Sequence, residues 1–307
     1  MIVDPEGRYV IRPARGDDGA VEAWMVKRLA FDTKKDWERT LVSQLRDELA
    51  RLPWRADCAL SGVFASDDPQ SCDAENLLYY NPGSAIFSAL PHRLIFERLR
   101  EVPPAPVPLD STSPCGYYHA YRALPPGRRF YCWQAHELLA RFDRIPVGSV
   151  TGSQAGRLVW WSLREAQDRI EVLTEDRPHA GEFGVHVVMH AAPGRGLKLA
   201  GVVKGLVDGV VGALHQGAAT TAAERTAGLL WPKLRPVVPN PRVLAEALTS
   251  DRTVLFDGPA FKAHATWVQL DPADHLCAAG LVELRNDSQS GRSELSGEIF
   301  RLRPPPT

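Results

Sequence analysis

"LSGVFASDDPQSCDAENLLYYNPGSAIFSAL", residues Leu60–Leu90, decides how this chain is read. It opens inside an apolar run, Cys58–Ser66, that predicts a strand. A polar loop follows, and then Ala74–Leu90, an apolar stretch of helical character. Pro82 and Gly83 fall inside that stretch and predict a break or kink. A second stretch, "FGVHVVMHAAPGRGLKLAGVVKGLVDGVVGAL" (Phe183–Leu214), repeats the order: a β-branched strand, a glycine-containing loop, and a helix over Gly201–His215. Identities between the two are few, so the relation is one of element order. Strand–loop–helix units also recur in α/β chains by frequency alone, which leaves duplication and chance recurrence as alternatives.

Working outward, Asp36–Pro53 is the clearest helix. Trp37, Leu41, Leu45 and Leu49 form one apolar stripe, with Asp36 placed to cap it. Arg8–Ala14, Leu94–Leu99 and Tyr117–Leu124 read as strands, and the proline-rich Val102–Pro114 as an extended connection. Arg128–Phe142 reads as strand passing into a short helix, and Arg157–Leu173 as mixed strand and helix. Residues 218–230 and Pro241–Ser250 read as helices, His264–Leu270 and His275–Arg285 as closing strands, and Arg301–Thr307 as a frayed tail. The small, polar Val147–Gly156 marks a boundary. The expected fold is α+β: two related mixed-sheet halves, 1–150 and 151–307, packed about a pseudo-two-fold axis.

The 307 residues, 44% hydrophobic and 24% charged, suit one large domain or two ordinary ones. No apolar run approaches the ~20 residues of a membrane span, and the first residues lack a secretory pattern, so the expectation is a cytoplasmic protein with no membrane partner. Five scattered cysteines (Cys58, Cys72, Cys115, Cys132, Cys277) contain no C-x-x-C pair, which argues against a zinc ribbon or a disulfide framework. A net charge of -1 argues against a strong nonspecific nucleic-acid binder but leaves room for a local basic patch.

Asp73, Glu75 and Asn76 place two carboxylates and an amide at a strand-to-helix junction. Hard divalent cations take such oxygen ligands. The same residues also cap helices and suit the positive end of the helix dipole. Lys204 and Asp208 lie four apart in an otherwise apolar helix. They read as a phosphate-facing lysine with a supporting carboxylate, or as an ordinary ion pair. His186 and His190 share one face of a strand, about 13 Å apart, too far to chelate one metal. His215 reads as a cation at its helix C-terminus. Trp160 and Trp161, if in a strand, face opposite sides. Neither "PGRGLK" (Pro193–Lys198) nor "TGSQAG" (Thr151–Gly156) meets a nucleotide-binding pattern.

The segment "DAENLLYYN" (Asp73–Asn81) resembles the Asp-x-Asp-Asn-Leu signature that opens the central helix of RusA-type Holliday-junction resolvases. "LKLAGVVKGLVDGVV" (Leu197–Val211) resembles the later part of that signature, where a lysine and then an aspartate follow. The resemblance implies a dimeric, magnesium-dependent nuclease for branched DNA. Asp73, Glu75 and Asn76 match its first polar positions, while Tyr79 and Gly83 stand where the lysine and later aspartate belong. In the second half Lys204 and Asp208 match, while Lys198, Ala200 and Gly201 replace the carboxylates and the Asn. Asp257 is the guess for one further catalytic aspartate. The implied composite site has Asp73 and Glu75 as metal ligands, Asn76 supporting them, Lys204 on phosphate and Asp208 holding it, with Lys198 and Arg195 toward DNA or RNA. It requires the two segments to meet. The alternative is a noncatalytic binding or assembly subunit of a bacterial complex, with a protein partner.

Overall fold

In chain order the elements are β1 (Ile2–Val3), β2 (Tyr9–Arg12), β3 (Val21–Met25), α1 (Asp36–Leu49), β4 (Ala59–Ser66), β5 (Arg93–Arg98), β6 (Tyr117–Leu124) and β7 (Gln134–Pro146). They continue with α2 (Ala155–Glu165), β8 (Ile170–Val172), β9 (Phe183–His190), α3 (Val203–Ala213), α4 (Thr220–Leu234) and α5 (Pro241–Leu248). Last come β10 (Phe261–Ala263), β11 (Val268–Leu270), β12 (Cys277–Arg285) and β13 (Glu294–Arg303). This computed structural model describes the whole chain except residues 17–18, 31–33, 56, 69–72, 88–91, 111–115, 128–129, 193–196 and 305–307. Cys72, Cys115 and Arg195 therefore lie outside the described residues.

Eleven strands form one mixed sheet in the order β1-β2-β3-β6-β4-β5-β12-β9-β13-β7-β8. Within this sheet, among the described residues, only β4/β5 and β9/β12 are parallel pairs. The sheet is continuous through the antiparallel β5/β12 pair, where Ile95 lies opposite Leu281. β10 and β11 form a separate hairpin. Alternate residues explain the layering. In β9, Val185, Val187 and Met189 face the core built with α2 and α3, while His186 and His190 point to the other face. On that other face, Val102, Ala105, Val107 and Leu109 of the proline-rich connection cover Val10, Trp24, Val63 and Tyr118. Among the described residues no helix is long and apolar enough to cross a membrane.

Several local expectations are corrected. β7 is strand throughout, because β13 pairs along its length from Gln134 to Pro146. The expected frayed tail supplies the end of that partner strand, Arg301–Arg303. Trp160 and Trp161 are both buried on helix α2, not split across a strand. Asp36 is the first residue of α1 rather than its cap. The carboxylate of Glu38 does the capping, accepting hydrogen bonds from the backbone N–H of Lys35 (2.6 Å) and Ala30 (2.8 Å).

Candidate functional site

Of the expected helix over Ala74–Leu90, residues 88–90 lie outside the described residues, and Ser84–Phe87 is a 3-10 turn. The rest is a short turn that widens at once into a π-turn, Asn76–Tyr80, closed by Asn81 N–H donating to the Asn76 carbonyl at 2.9 Å. Such turns are rare and concentrate at functional sites. Pro82 cannot continue the ladder, and Gly83 (φ 105°) turns the chain away. Two tyrosines pin the turn to the sheet: buried Tyr79 donates its hydroxyl to the Ile95 carbonyl, and Tyr121 to the Leu78 carbonyl at 2.8 Å. Gly62 of β4 leaves the room this needs, since a Cβ there would lie 2.9 Å from the Tyr79 hydroxyl. Asp73 and Glu75 thus project from a fixed, short platform.

Helix α3 brings the second half of the site. Its approach to α2 is set by glycine: a Cβ at Gly205 would lie 2.8 Å from that of Ala155, and one at Gly209 would lie 2.6 Å from the Gly156 carbonyl oxygen. The helix is buried except where Lys204 and Asp208 look toward Asp73. The Lys204 ammonium donates to Asp73 Oδ2 (2.8 Å) and to Asp208 Oδ1 (3.2 Å). It lies 3.9 Å from both Glu75 Oε1 and Asp274 Oδ2. Residues 131 apart in sequence therefore meet in one ion cluster. Asp73 also acts as a cap, because its other oxygen accepts the Asn76 N–H at 3.3 Å.

Asp274 was not anticipated. It sits in the 3-10 turn Ala273–Leu276 ahead of β12. That turn is held by buried His215, whose Nε2 accepts the Ala273 N–H at 2.9 Å. Nδ1 must then carry the proton and donate to the Asp257 and Gly258 carbonyls. His215 is therefore neutral, not the cationic helix end expected, and burial lowers its pKa. The guessed Asp257 contributes only its backbone carbonyl, and its carboxylate accepts from the Gly258 N–H. A lone aspartate in "DPADHLC" carries no pattern that could have singled it out.

One oxygen from each of Asp73, Glu75 and Asp274 lies within 4.8 Å of the others, so the three together can hold a metal ion. Glu75 is fully buried, and among the described residues no donor reaches its carboxylate oxygens; as the protonated acid it shares a hydrogen bond with Asp73. No protein–family model, curated protein or solved structure matches the chain. The electrostatics of the cluster must therefore speak for themselves. Four carboxylates (Asp73, Glu75, Asp208, Asp274) surround one ammonium. Burial, reinforced by the charge of Asp73, raises Glu75 well above the usual carboxylate range. Burial likewise pushes Asp208 up to about 6 and, with Asp73 and Asp208 beside it, Asp274 up to about 7. Burial is the strongest single influence on Asp73 too, but the Lys204 charge together with hydrogen bonds from Glu75, Lys204 and the Asn76 N–H outweighs it and holds Asp73 below its ordinary value. Lys204 is raised, because its four acidic neighbours more than offset its burial. The cluster is short of positive charge, and protons are taken up where a cation would serve.

Of the other anticipated residues, Asn76 packs beside Asp73 with its buried side-chain oxygen unpaired. Lys198 is exposed, just before the turn Leu199–Gly201 that leads into α3. His186 and His190 lie on the opposite sheet face, each against a carboxylate: Glu283 at 3.0 Å and Asp287 at 2.7 Å.

Proposed function

We propose that this protein is a metal-dependent phosphodiester hydrolase acting on nucleic acid, built from two RusA-like halves fused in one chain. The observation that carries the reading is Glu75: a fully buried carboxylate with no donor, aimed at Asp73 and Asp274. Burial and Asp73 push this acid toward its protonated form, and a cation bound beside it is what would stabilise the ionised carboxylate, as buried charges are either paired or used to coordinate metals. Three carboxylates and no imidazole or thiolate suit a small hard cation, magnesium first. Bound there, such an ion supplies Lewis acidity toward a phosphoryl oxygen and a more acidic water. The chain's own residues do the rest. Lys204 holds its charge next to the ligands, where it neutralises a non-bridging phosphate oxygen. Asp208 keeps the Lys204 ammonium aimed. The Asn76 N–H fixes the orientation of Asp73 through the oxygen that does not face Lys204.

The strand order supports the fused-halves reading. β3-β6-β4-β5 on one side recurs as β7-β13-β9-β12 on the other, with a parallel pair ending each and α1 or α2 after the first strand of each. The halves would meet antiparallel at β5/β12, and their junction would fall between β6 and β7. In this reading two ligands, Asp73 and Glu75, come from the turn after β4, the lysine comes from its counterpart after β9, and the third ligand, Asp274, comes from the turn ahead of β12. The reciprocal pairing, Lys198 and Ala200 with Tyr79 and Gly83, holds no carboxylate. One site per chain then makes one incision per binding event, whereas two related sites would make two. The test is cleavage of end-labelled branched and single-stranded DNA with magnesium, comparing wild type with Asp73→Asn. Cleavage that requires both magnesium and Asp73 supports the reading. Absence of cleavage by wild type, or undiminished cleavage by the variant, refutes it.

A further inference from the structure

A cleft of about 300 Å³ opens beside the ion cluster, with Lys204 and Asp208 on its floor. One wall is the start of α2. The adjoining β10–β11 hairpin contributes Trp267, and Tyr80 lines the cleft from the turn after β4. Large hydrophobic side chains are mostly buried in this protein, and among the described residues three aromatic rings are conspicuously exposed: Trp267 (47%), Tyr131 (47%) and Tyr80 (38%). Two of those three line this one cleft. Tyr131 lies elsewhere, under the Arg122 guanidinium.

Trp267 is not a loose surface residue. Its ring stacks face to face on His264, with centroids 4.0 Å apart and planes 7° from parallel. The hairpin turn behind it is closed by His264 N–H donating to the Trp267 carbonyl at 2.8 Å, and the Arg225 guanidinium donates to the His264 carbonyl at 3.1 Å. One face of the indole is thus supported and its orientation set before anything binds. A rigid, half-exposed indole at the mouth of a cleft whose floor is a lysine fits a nucleotide: a flat base for the ring and a phosphate for the ammonium. Core packing does not explain the exposure, and an apolar ligand would not choose a floor made of Lys204 and Asp208.

We infer that this cleft is a nucleotide subsite of the hydrolase, in which Trp267, backed by His264 and assisted by Tyr80, stacks an unpaired base next to the phosphate held at Lys204. The inference rests on the nucleic-acid reading proposed above and narrows it: the substrate presents an unpaired base at the incision point, as single strands, flaps and branch points do. Trp267 is a positioning residue, since the reacting phosphate lies at the ion cluster.

The test measures binding without cleavage. The full chain is titrated, with calcium in place of magnesium, into a fluorescein-labelled oligothymidine and into the same backbone carrying abasic residues. Fluorescence anisotropy reads the affinity. Trp267→Ala should weaken oligothymidine binding about 10- to 100-fold, as loss of one base–aromatic stack does. Trp267→Phe should recover most of it, and neither change should alter abasic binding. Equal oligothymidine affinity in wild type and Trp267→Ala overturns the subsite, and so does equal loss on both probes, which makes the ring merely structural. Cleavage by wild type separates the two ideas. Magnesium-dependent cleavage with no stacking effect removes the subsite alone, and a stacking effect without cleavage removes the hydrolase alone. Failure of wild type to bind either probe overturns both.

Discussion

Replacing Glu75 by Gln removes the feature on which the metal reading stands, and its consequence can be worked out in advance. Glu75 is fully buried, and once ionised it has no donor among the described residues, whereas the protonated acid can share a hydrogen bond with Asp73. A buried group left unsatisfied costs about 1–3 kcal/mol. Glutamine has the same shape, carries no charge, and its amide can donate to an Asp73 oxygen. The metal-free variant should therefore be more stable than wild type, and the gain should depend on pH. The pKa of Glu75 in the folded protein is raised well above 4.5. A carboxyl raised on folding contributes fully below its unfolded pKa and loses that contribution as pH rises through its folded pKa. Glutamine does not titrate. The gap should be near zero at about pH 4.5 and grow toward about 1–3 kcal/mol in mildly alkaline buffer. That corresponds to a rise of roughly 2–6 °C in Tm for a chain of this size. In saturating magnesium the order should reverse. A ligand present at about 1,000 times its Kd adds about 4.1 kcal/mol to the wild type, more than the whole gap, and the variant should gain little. Thermal unfolding followed by circular dichroism, in EDTA and in magnesium at both pH values, reads all four quantities. A variant that melts below wild type in EDTA and keeps the full magnesium response would refute the reasoning.

The remaining predictions concern the parts that hold the site. Lys204→Met should lower kcat by about 10²- to 10³-fold, the usual worth of one aimed charge in a transition state. Calorimetric titration should show unchanged or tighter magnesium binding, because a competing ammonium is gone. Gly209→Ala should destabilise by about 1–3 kcal/mol or more by overpacking. Its Cβ would meet a backbone oxygen, Gly156 O at 2.6 Å, that no rotamer change can move, and urea unfolding measures the loss. Away from the site, hydrogen bonding from His186 and Arg285 holds Glu283 down at about 2 against burial. A depressed carboxylate contributes above its unfolded pKa and loses that contribution as pH falls. The stability difference between wild type and Glu283→Gln should be largest above pH 5, at most about 3 kcal/mol, and shrink between about pH 4.5 and 2.

How much of this was legible in the chain depended on the range of the signal. Local periodicity sufficed for α1, β4, β9 and α3, where apolar stripes or β-branched runs match what is buried. It failed where a distant partner decides. Arg128–Phe142 reads as strand passing into a short helix until β13, more than 140 residues later, pairs with Gln134–Pro146. Ala74–Leu90 read as a helix with a break because nothing local reports that Tyr79 ties the turn to Leu60 of β4 and Ile95 of β5, or that Tyr121 of β6 holds it at the Leu78 carbonyl. The glycines of α3 were visible, but their meaning, close contact with α2 at Ala155 and Gly156, needs both helices. The site divided the same way. Asp73, Glu75, Lys204 and Asp208 were marked by spacing and by charge inside apolar stretches, and the fold brings them together. Asp274 could not be found, since its membership in the cluster comes from a turn hung on His215.

The central claim is that Asp73, Glu75 and Asp274 form a metal site completed by Lys204 from the other half of the chain. Anomalous scattering from crystals soaked in manganese tests it most directly. The account predicts one peak per chain, about 2.0–2.2 Å from an oxygen of each of the three carboxylates, with the Lys204 ammonium beside it and no peak near Lys198 and Ala200. Crystals that take up manganese elsewhere and leave this cluster empty, or that place it without Glu75 as a ligand, would contradict the account.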